Sequence, residues 1–181
     1  FENGNSLTIM PGASISIQGS KKRPVVFQFE GQNDLSEGIV FMDDVSELVL
    51  DNLFIRNAFH AISADQSENL KITGVTFENC THPVKDITDR NMLEFNRCHF
   101  IETDFSGLHT DPVKIKIRIV NSTLSNSHLG LIANYRLTFE NSIFYSSTIN
   151  CLIGGKNSVF YETEFSTVTL DGGSDYNCFY N

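Results

Sequence analysis

Apolar and polar residues alternate along most of this chain in short runs, and the runs return at a nearly fixed interval. The unit reads apolar–x–apolar–x–corner–apolar–x–apolar. It occurs first as Leu48 to Ile55, then as Leu70 to Phe77, Leu93 to Phe100, Ile117 to Leu124, Leu137 to Phe144 and Ser158 to Phe165. The corner is Asn52, Gly74, Arg97, Asn121, Asn141 and Glu162, in steps of 22, 23, 24, 20 and 21 residues. Period-two alternation marks a strand with one face buried. A fixed repeat of this length marks stacked coils.

Three inward columns follow from the alternation. One is Leu50, Ile72, Phe95, Ile119, Phe139, Phe160; the second is Ile55, Phe77, Phe100, Leu124, Phe144, Phe165. The third, of smaller residues, is Leu53, Val75, Cys98, Ser122, Ser142, Thr163. Strands that meet at a corner without a loop need left-handed backbone angles, which Asn and Gly adopt most cheaply. Arg97 and Glu162 depart from that rule. A second polar corner lies five residues on, at Asn57, Asn79, Glu102, Asn126, Ser146 and Thr167. A third strand precedes each unit, in Ile39–Phe41, Ala61–Ser63, Val84–Asp86, Gly130–Ile132 and Asn150–Leu152. The pattern predicts an all-β, right-handed parallel β-helix over residues 1–181 as one domain. It has about seven to eight coils of roughly 22 residues, with three short strands per coil.

With these features the chain resembles the right-handed parallel β-helix proteins, the pectate-lyase-like group, whose corners carry an Asn ladder. Ser6-Leu7-Thr8-Ile9-Met10-Pro11-Gly12 is similar to the "LTI-PG" coil that opens such domains in secreted and surface proteins. Lys21-Lys22-Arg23-Pro24-Val25-Val26-Phe27 resembles the next coil, and Gly38-Ile39-Val40-Phe41 its "G-I-x-F" strand. The resemblance implies a secreted or cell-surface location. It leaves the function open, because the superfamily holds lyases, hydrolases, epimerases, tailspikes and adhesins.

A net charge of −9 argues against nucleic acid as the main partner. No apolar run reaches membrane-spanning length. Cys80, Cys98, Cys151 and Cys178 form no metal-type pair, and Cys98 sits in an inward column as a small core residue. Asn79-Cys80-Thr81 and Asn121-Ser122-Thr123 match the glycosylation pattern, but both Asn residues belong to the corner repeat. The uncapped ends predict a piece of a longer chain, with end-to-end contacts to further coils of that chain or to another subunit.

Lys85, Asp86, Asp89 and Arg90 concentrate charge in one coil. Lyases of the resembled superfamily use a basic residue to remove a proton beside a uronate carboxylate, with a cation, often calcium, neutralising the developing charge. These four residues are the candidate catalytic set; a solvated turn with local ion pairs is the favoured account of them. Calcium is the only cofactor the resemblance suggests, and no metal ligands are assigned. Asp43, Asp44, Asp65 and Glu68 lie in early turns and are acidic groups that could contribute to a cation site. His109, in the turn Phe105–Pro112, stands two residues from Asp111. Lys114, Lys116 and Arg118 share one strand face, as a basic stripe for an acidic glycan or as members of a charge ladder with Lys71 and Glu94. Phe54, Phe59, Tyr135 and Tyr145 are candidate aromatic platforms. Lys114, Lys116, Tyr135 and His109 form the candidate glycan-binding set.

Two function classes follow. One is a non-catalytic surface domain with a structural, adhesive or glycan-binding role. The other is a polysaccharide lyase or glycoside hydrolase acting on an acidic polysaccharide. A groove with convergent cations and carboxylates across neighbouring coils favours an enzyme; flat flanks with alternating-sign ladders favour the surface domain.

Overall fold

The computed structural model describes residues 1–2, 5–13, 15–30, 37–42, 47–64, 69–85, 92–105, 116–130, 136–150, 152–165 and 177–180. In chain order its strands are β1 (Leu7–Ile9), β2 (Val25–Gln28), β3 (Glu37–Phe41), β4 (Glu47–Arg56), β5 (His60–Ser63), β6 (Asn69–Glu78) and β7 (His82–Val84). There follow β8 (Met92–Asn96), β9 (His99–Ile101), β10 (Lys116–Val120), β11 (Thr123–Ser125), β12 (His128–Leu129) and β13 (Arg136–Glu140). The last are β14 (Ile143–Tyr145), β15 (Thr148–Ile149), β16 (Leu152–Lys156), β17 (Val159–Tyr161), β18 (Glu164–Phe165) and β19 (Cys178–Tyr180).

The strands wind into a parallel β-solenoid. One face stacks β2, the C-terminal half of β4, the C-terminal half of β6, β9, β11, β14, β17 and β19. A second face stacks the N-terminal halves of β4 and β6, then β8, β10, β13 and β16. The third face is split into β1-β3-β5-β7 and β12-β15-β18. A bridge from Asp104 to His128 and a bond from the Asp104 N–H to the Cys80 carbonyl (3.1 Å) link these two parts. The solenoid amounts to about four turns among the described residues, not the seven to eight coils expected. The coils at both ends and the passage through residues 103–105 carry strands on fewer faces.

The corners behave as their composition requires. The first runs Asn52, Gly74, Arg97, Asn121, Asn141 and Asn157, at φ of 54°, 79°, 52°, 51°, 50° and 53°. The second runs Asn57, Asn79, Glu102, Asn126, Ser146 and Glu162, at φ between 44° and 57°. Thus Arg97 does hold a corner. The last coil differs from the expected register: Asn157 holds its first corner and Glu162 its second, in place of Glu162 and Thr167. The step from Asn141 is therefore 16 residues, and the unit does not begin at Ser158. Gly155 stands at the inward position opposite Phe139, where the other coils carry an apolar residue, and Gly154 lies opposite Thr138. A Cβ at Gly155 would come within 2.2 Å of the Phe139 carbonyl oxygen and 2.6 Å of its ring.

The columns move accordingly. Phe160 stacks on Phe144, with ring centroids 4.7 Å apart, so it joins the second column in place of Phe165. That column reads Phe27, Ile55, Phe77, Phe100, Leu124, Phe144, Phe160, Phe179 by register. Phe165 stacks beyond Ile149 on the third face. Ser158, not Thr163, completes the small column. In the first column Leu48, not Leu50, is paired with Ile72, because β4 carries two extra residues before its corner. The shift is even, so Leu50 keeps its inward direction and is buried. Each buried Phe contributes about 1.5–3 kcal/mol by removal from water.

Two internal ladders of small polar residues lock the corners. Behind the first, the N–H of Cys98 donates to the Ser122 hydroxyl (3.0 Å), Ser122 to Ser142 (3.3 Å), and Ser142 to Ser158 (3.1 Å). Behind the second, Thr103 donates to Ser127 and Ser127 to Ser147. The hydroxyls donate in turn to carbonyls two residues back, as Ser122 does to Val120 at 2.6 Å. Backbone groups that a sharp corner would strand are thereby satisfied inside the core. Cys80 and Cys98 occupy the same ladders, and burial pushes both thiols up to about 12, against the lowering effect of backbone hydrogen bonds.

Candidate binding cleft

Gly19 brings the segment before β2 against the first corner. Its N–H donates to the Asp51 carbonyl (2.9 Å), and its own carbonyl accepts from the Asn52 side-chain amide (3.1 Å). A Cβ there would lie 2.5 Å from the Asn52 carbonyl oxygen, so only glycine permits this approach. Ser20 and Arg23 then close a tight turn through two reciprocal backbone bonds of 3.0 Å. Lys21 sits exposed at its tip.

Between this turn and the first corner lies a cleft of about 440 Å³, within the range of roughly 300–1,000 Å³ common for small-ligand sites. Lys21, Pro24 and Ser20 form one wall; Asp51, Asn52, Gly74 and Arg97 come from successive corners; Phe54, Thr76 and His99 come from the sheet beyond. The Arg97 guanidinium lies 3.7 Å from the Asp51 carboxylate, with both side chains more than half exposed. Arg56 lies over the Phe54 ring at 5.4 Å and bonds Glu78 at 2.9 Å. His99 Nδ1 shares a 2.6 Å hydrogen bond with the Thr123 hydroxyl. Much of its ring edge is open, but neighbouring strands crowd its inner side. That partial desolvation holds its pKa below the usual imidazole value. Neutral His99, one carboxylate and two cations thus surround an aromatic and a proline surface.

This set suits a polar molecule with a ring to lay on Phe54 and Pro24 and an oxygen-rich edge for Lys21, Arg97 and His99. It does not suit calcium, which takes six to eight oxygen ligands, since the cleft holds one carboxylate, already paired with Arg97. Among the described residues no three His, Cys, Asp or Glu side chains gather as metal ligands.

Of the catalytic and glycan-binding candidates, Lys85 and Lys116 are described, and neither lines the cleft. Lys85 follows β7 and forms an ion pair with Glu37, two strands away on β3. Asp86, Asp89, Arg90, His109, Lys114 and Tyr135, with Asp43, Asp44, Asp65 and Glu68, lie outside the described residues. Lys116 opens β10 exposed, in register with Met92 and Arg136. Arg118 belongs to the charge ladder: it bonds Glu94 at 2.7 Å and Glu140 at 3.1 Å, and Lys156 adds a 3.5 Å contact to Glu140. The bond to Glu94, then that to Glu140, raise the Arg118 pKa. Phe59 is packed edge-on against His60 and His82, with centroids 4.6 and 5.1 Å away. Tyr145 is exposed and stacked on Tyr161. Of the described aromatic candidates only Phe54 enters the cleft. Lys21 and Arg97 were missed, although the break in the corner rule at Arg97 was visible in the sequence. No family model, curated protein or solved structure matches this chain.

Proposed function

We propose that this chain is a β-helix module of a secreted or cell-surface protein, structural or adhesive in role, that binds a glycan in the cleft beside Arg97. One observation carries the reading. The first corner follows an Asn rule at Asn52, Asn121, Asn141 and Asn157 and breaks it only at Gly74 and Arg97. Both breaks line the cleft. Gly74 leaves the hollow that a side chain would occupy, and Arg97 holds a left-handed backbone that an arginine adopts only at a cost. Local strain and broken structural rules concentrate at functional sites. The regular outer flanks and the Glu94–Arg118–Glu140 ladder fit a rigid display module.

The test is calorimetric titration of the chain with a panel of neutral and acidic oligosaccharides. Reducing ends and the ultraviolet absorbance of unsaturated products are followed on the same samples. Saturable binding that Phe54→Ala and Arg97→Ala each weaken by about tenfold, without product, is expected. Growth of absorbance or of reducing ends replaces this reading with a lyase or a hydrolase. Binding that ignores both substitutions removes the cleft from it.

A further inference from the structure

Phe54, Thr76, His99 and Thr123 stand in register on the outer side of four neighbouring strands, β4, β6, β9 and β11. The first three line the cleft. Thr76 alternates with the buried Val75 and Phe77, so its side chain leaves the core, yet between Phe54 and His99 it is only 7% exposed. Among the described residues its hydroxyl has no hydrogen-bond partner. A polar side chain this deeply buried is ordinarily paired. His99 is held from its other side, where Nδ1 lies 2.6 Å from the Thr123 hydroxyl. In an imidazole, Nδ1 and Cδ2 flank the same carbon. A ring with Nδ1 turned to β11 therefore turns its Cδ2–Nε2 edge back towards β6 and the cleft.

We propose that Thr76 and His99 read two neighbouring hydroxyls of a sugar ring laid on Phe54, and that Thr123 is the positioning residue that aims His99. This deepens the glycan reading above and rests on it. The Thr123 hydroxyl reaches no other acceptor among the described residues. It donates to Nδ1, which leaves the ring proton on Nε2 as a donor to the cleft. The Thr76 hydroxyl both donates and accepts. Two neutral groups one strand apart, about 4.8 Å, can each take one oxygen of a vicinal diol, and each sugar hydroxyl gives or accepts as its partner requires. A carboxylate only accepts. On this row it would be set against the sheet, because Lys21 and Arg97 belong to the turn and the corner, and the cost of desolvating it would go uncompensated. The order of the row suits a pyranose, whose apolar face lies on an aromatic ring while its hydroxyls project from the edge.

One half of the test needs no ligand. A long-range proton–nitrogen correlation spectrum of the imidazoles, taken above their pKa and assigned with His99→Asn, should show the His99 proton on Nε2. Thr123→Val should lose that preference and Thr123→Ser keep it. Calorimetric titration then uses hexasaccharides of glucose, mannose, galactose and galacturonate. A neutral one should bind, and Thr76→Val and Thr123→Val should each weaken it by about threefold to tenfold, with Thr123→Ser restoring the affinity. Thr76→Val removes a hydroxyl that has no partner, so its Tm should be unchanged or raised, which separates lost binding from lost structure. A His99 proton on Nδ1, binding of the galacturonate alone, or binding indifferent to Thr76→Val and Thr123→Val would each overturn this inference and leave the glycan reading standing. A parent that binds none of the four would overturn that reading and this inference with it.

Discussion

If Arg97 is held at its corner for binding, replacing it by the residue the ladder otherwise uses should strengthen the fold and weaken the site. Consider Arg97→Asn. A left-handed angle costs an L-residue other than Gly about 1–2 kcal/mol, and Asn less, because its short amide bonds locally. At φ 52°, Arg97 bears that cost in full. At present the Asn141 side-chain amide donates to Asn121 Oδ1 (3.2 Å), and the Asn121 side-chain amide donates to Asn96 Oδ1 (3.2 Å). An Asn at position 97 extends the ladder by one hydrogen bond, about 0.5–1.5 kcal/mol. The loss is the exposed 3.7 Å pair with Asp51, for which about 0.5 kcal/mol is generous. The balance favours the variant by about 1 kcal/mol, or roughly 2–4 °C in Tm for a chain of this size. Gly74→Asn should not share that gain: at φ 79° an Asn bears part of a left-handed cost that glycine escapes, and its Cβ would meet the Asp51 carboxylate at 3.2 Å and the Asp51 Cα and the Leu50 carbonyl oxygen at 3.4 Å. Denaturant unfolding measures the first effect, and calorimetric titration with the saccharide that binds the parent measures the second. A loss of stability in Arg97→Asn, or an unchanged saccharide affinity, would refute the reasoning.

The interior offers sharper tests. Ser142→Ala leaves the buried N–H of Ser122 without its acceptor and should cost about 1–3 kcal/mol in denaturant unfolding. Gly155→Ala drives a methyl into the Phe139 carbonyl and ring, and should lower Tm by several degrees or prevent folding. Because burial lowers the His99 pKa in the folded state, the unfolded chain binds the proton more readily. The stability contributed by neutral His99 is complete above about pH 6.5 and is lost as pH falls below it. Asn in place of His99 should flatten that part of a Tm-against-pH curve. Cys80 and Cys98, with thiols near 12 and no access to solvent, should resist alkylation at pH 8 until the chain unfolds, while Cys178 reacts at once.

The fold was legible because the solenoid imposes one residue type at each step of a column. Phe77, Phe100 and Phe144 sit where alternation put them, and Lys71, Glu94 and Arg118 are neighbours as their spacing required. The reading slipped where that redundancy lapsed. In the last coil the inward pair opposite Leu137 and Phe139 is Ile153 and Gly155, a glycine standing where the Phe139 ring already fills the space. With one of the two hydrophobic marks before the corner missing, the repeat reads on to Glu162. The two extra residues in β4 passed unnoticed because a shift of two preserves which side chains face inward.

The cleft was harder to read, and for a different reason. Charge density drew attention to Lys85 through Arg90, yet the one described member of that group is tied to Glu37. Charges crowd together in sequence wherever a loop is solvated, whereas a site in a solenoid is assembled from residues one coil apart. Asp51, Gly74 and Arg97 are each separated by 23 residues and become adjacent only when the coils are stacked. What distinguishes them is not their type but their failure to be Asn, or to be followed by an ordinary side chain, at positions where the rest of the ladder is uniform. In a repeat architecture the uniform positions report stability, because each neighbouring coil imposes the same geometry on the next. A position that forgoes that stability, as Arg97 does at φ 52°, is where a role outside the ladder is to be sought. Arg97 and Gly74 both line the cleft.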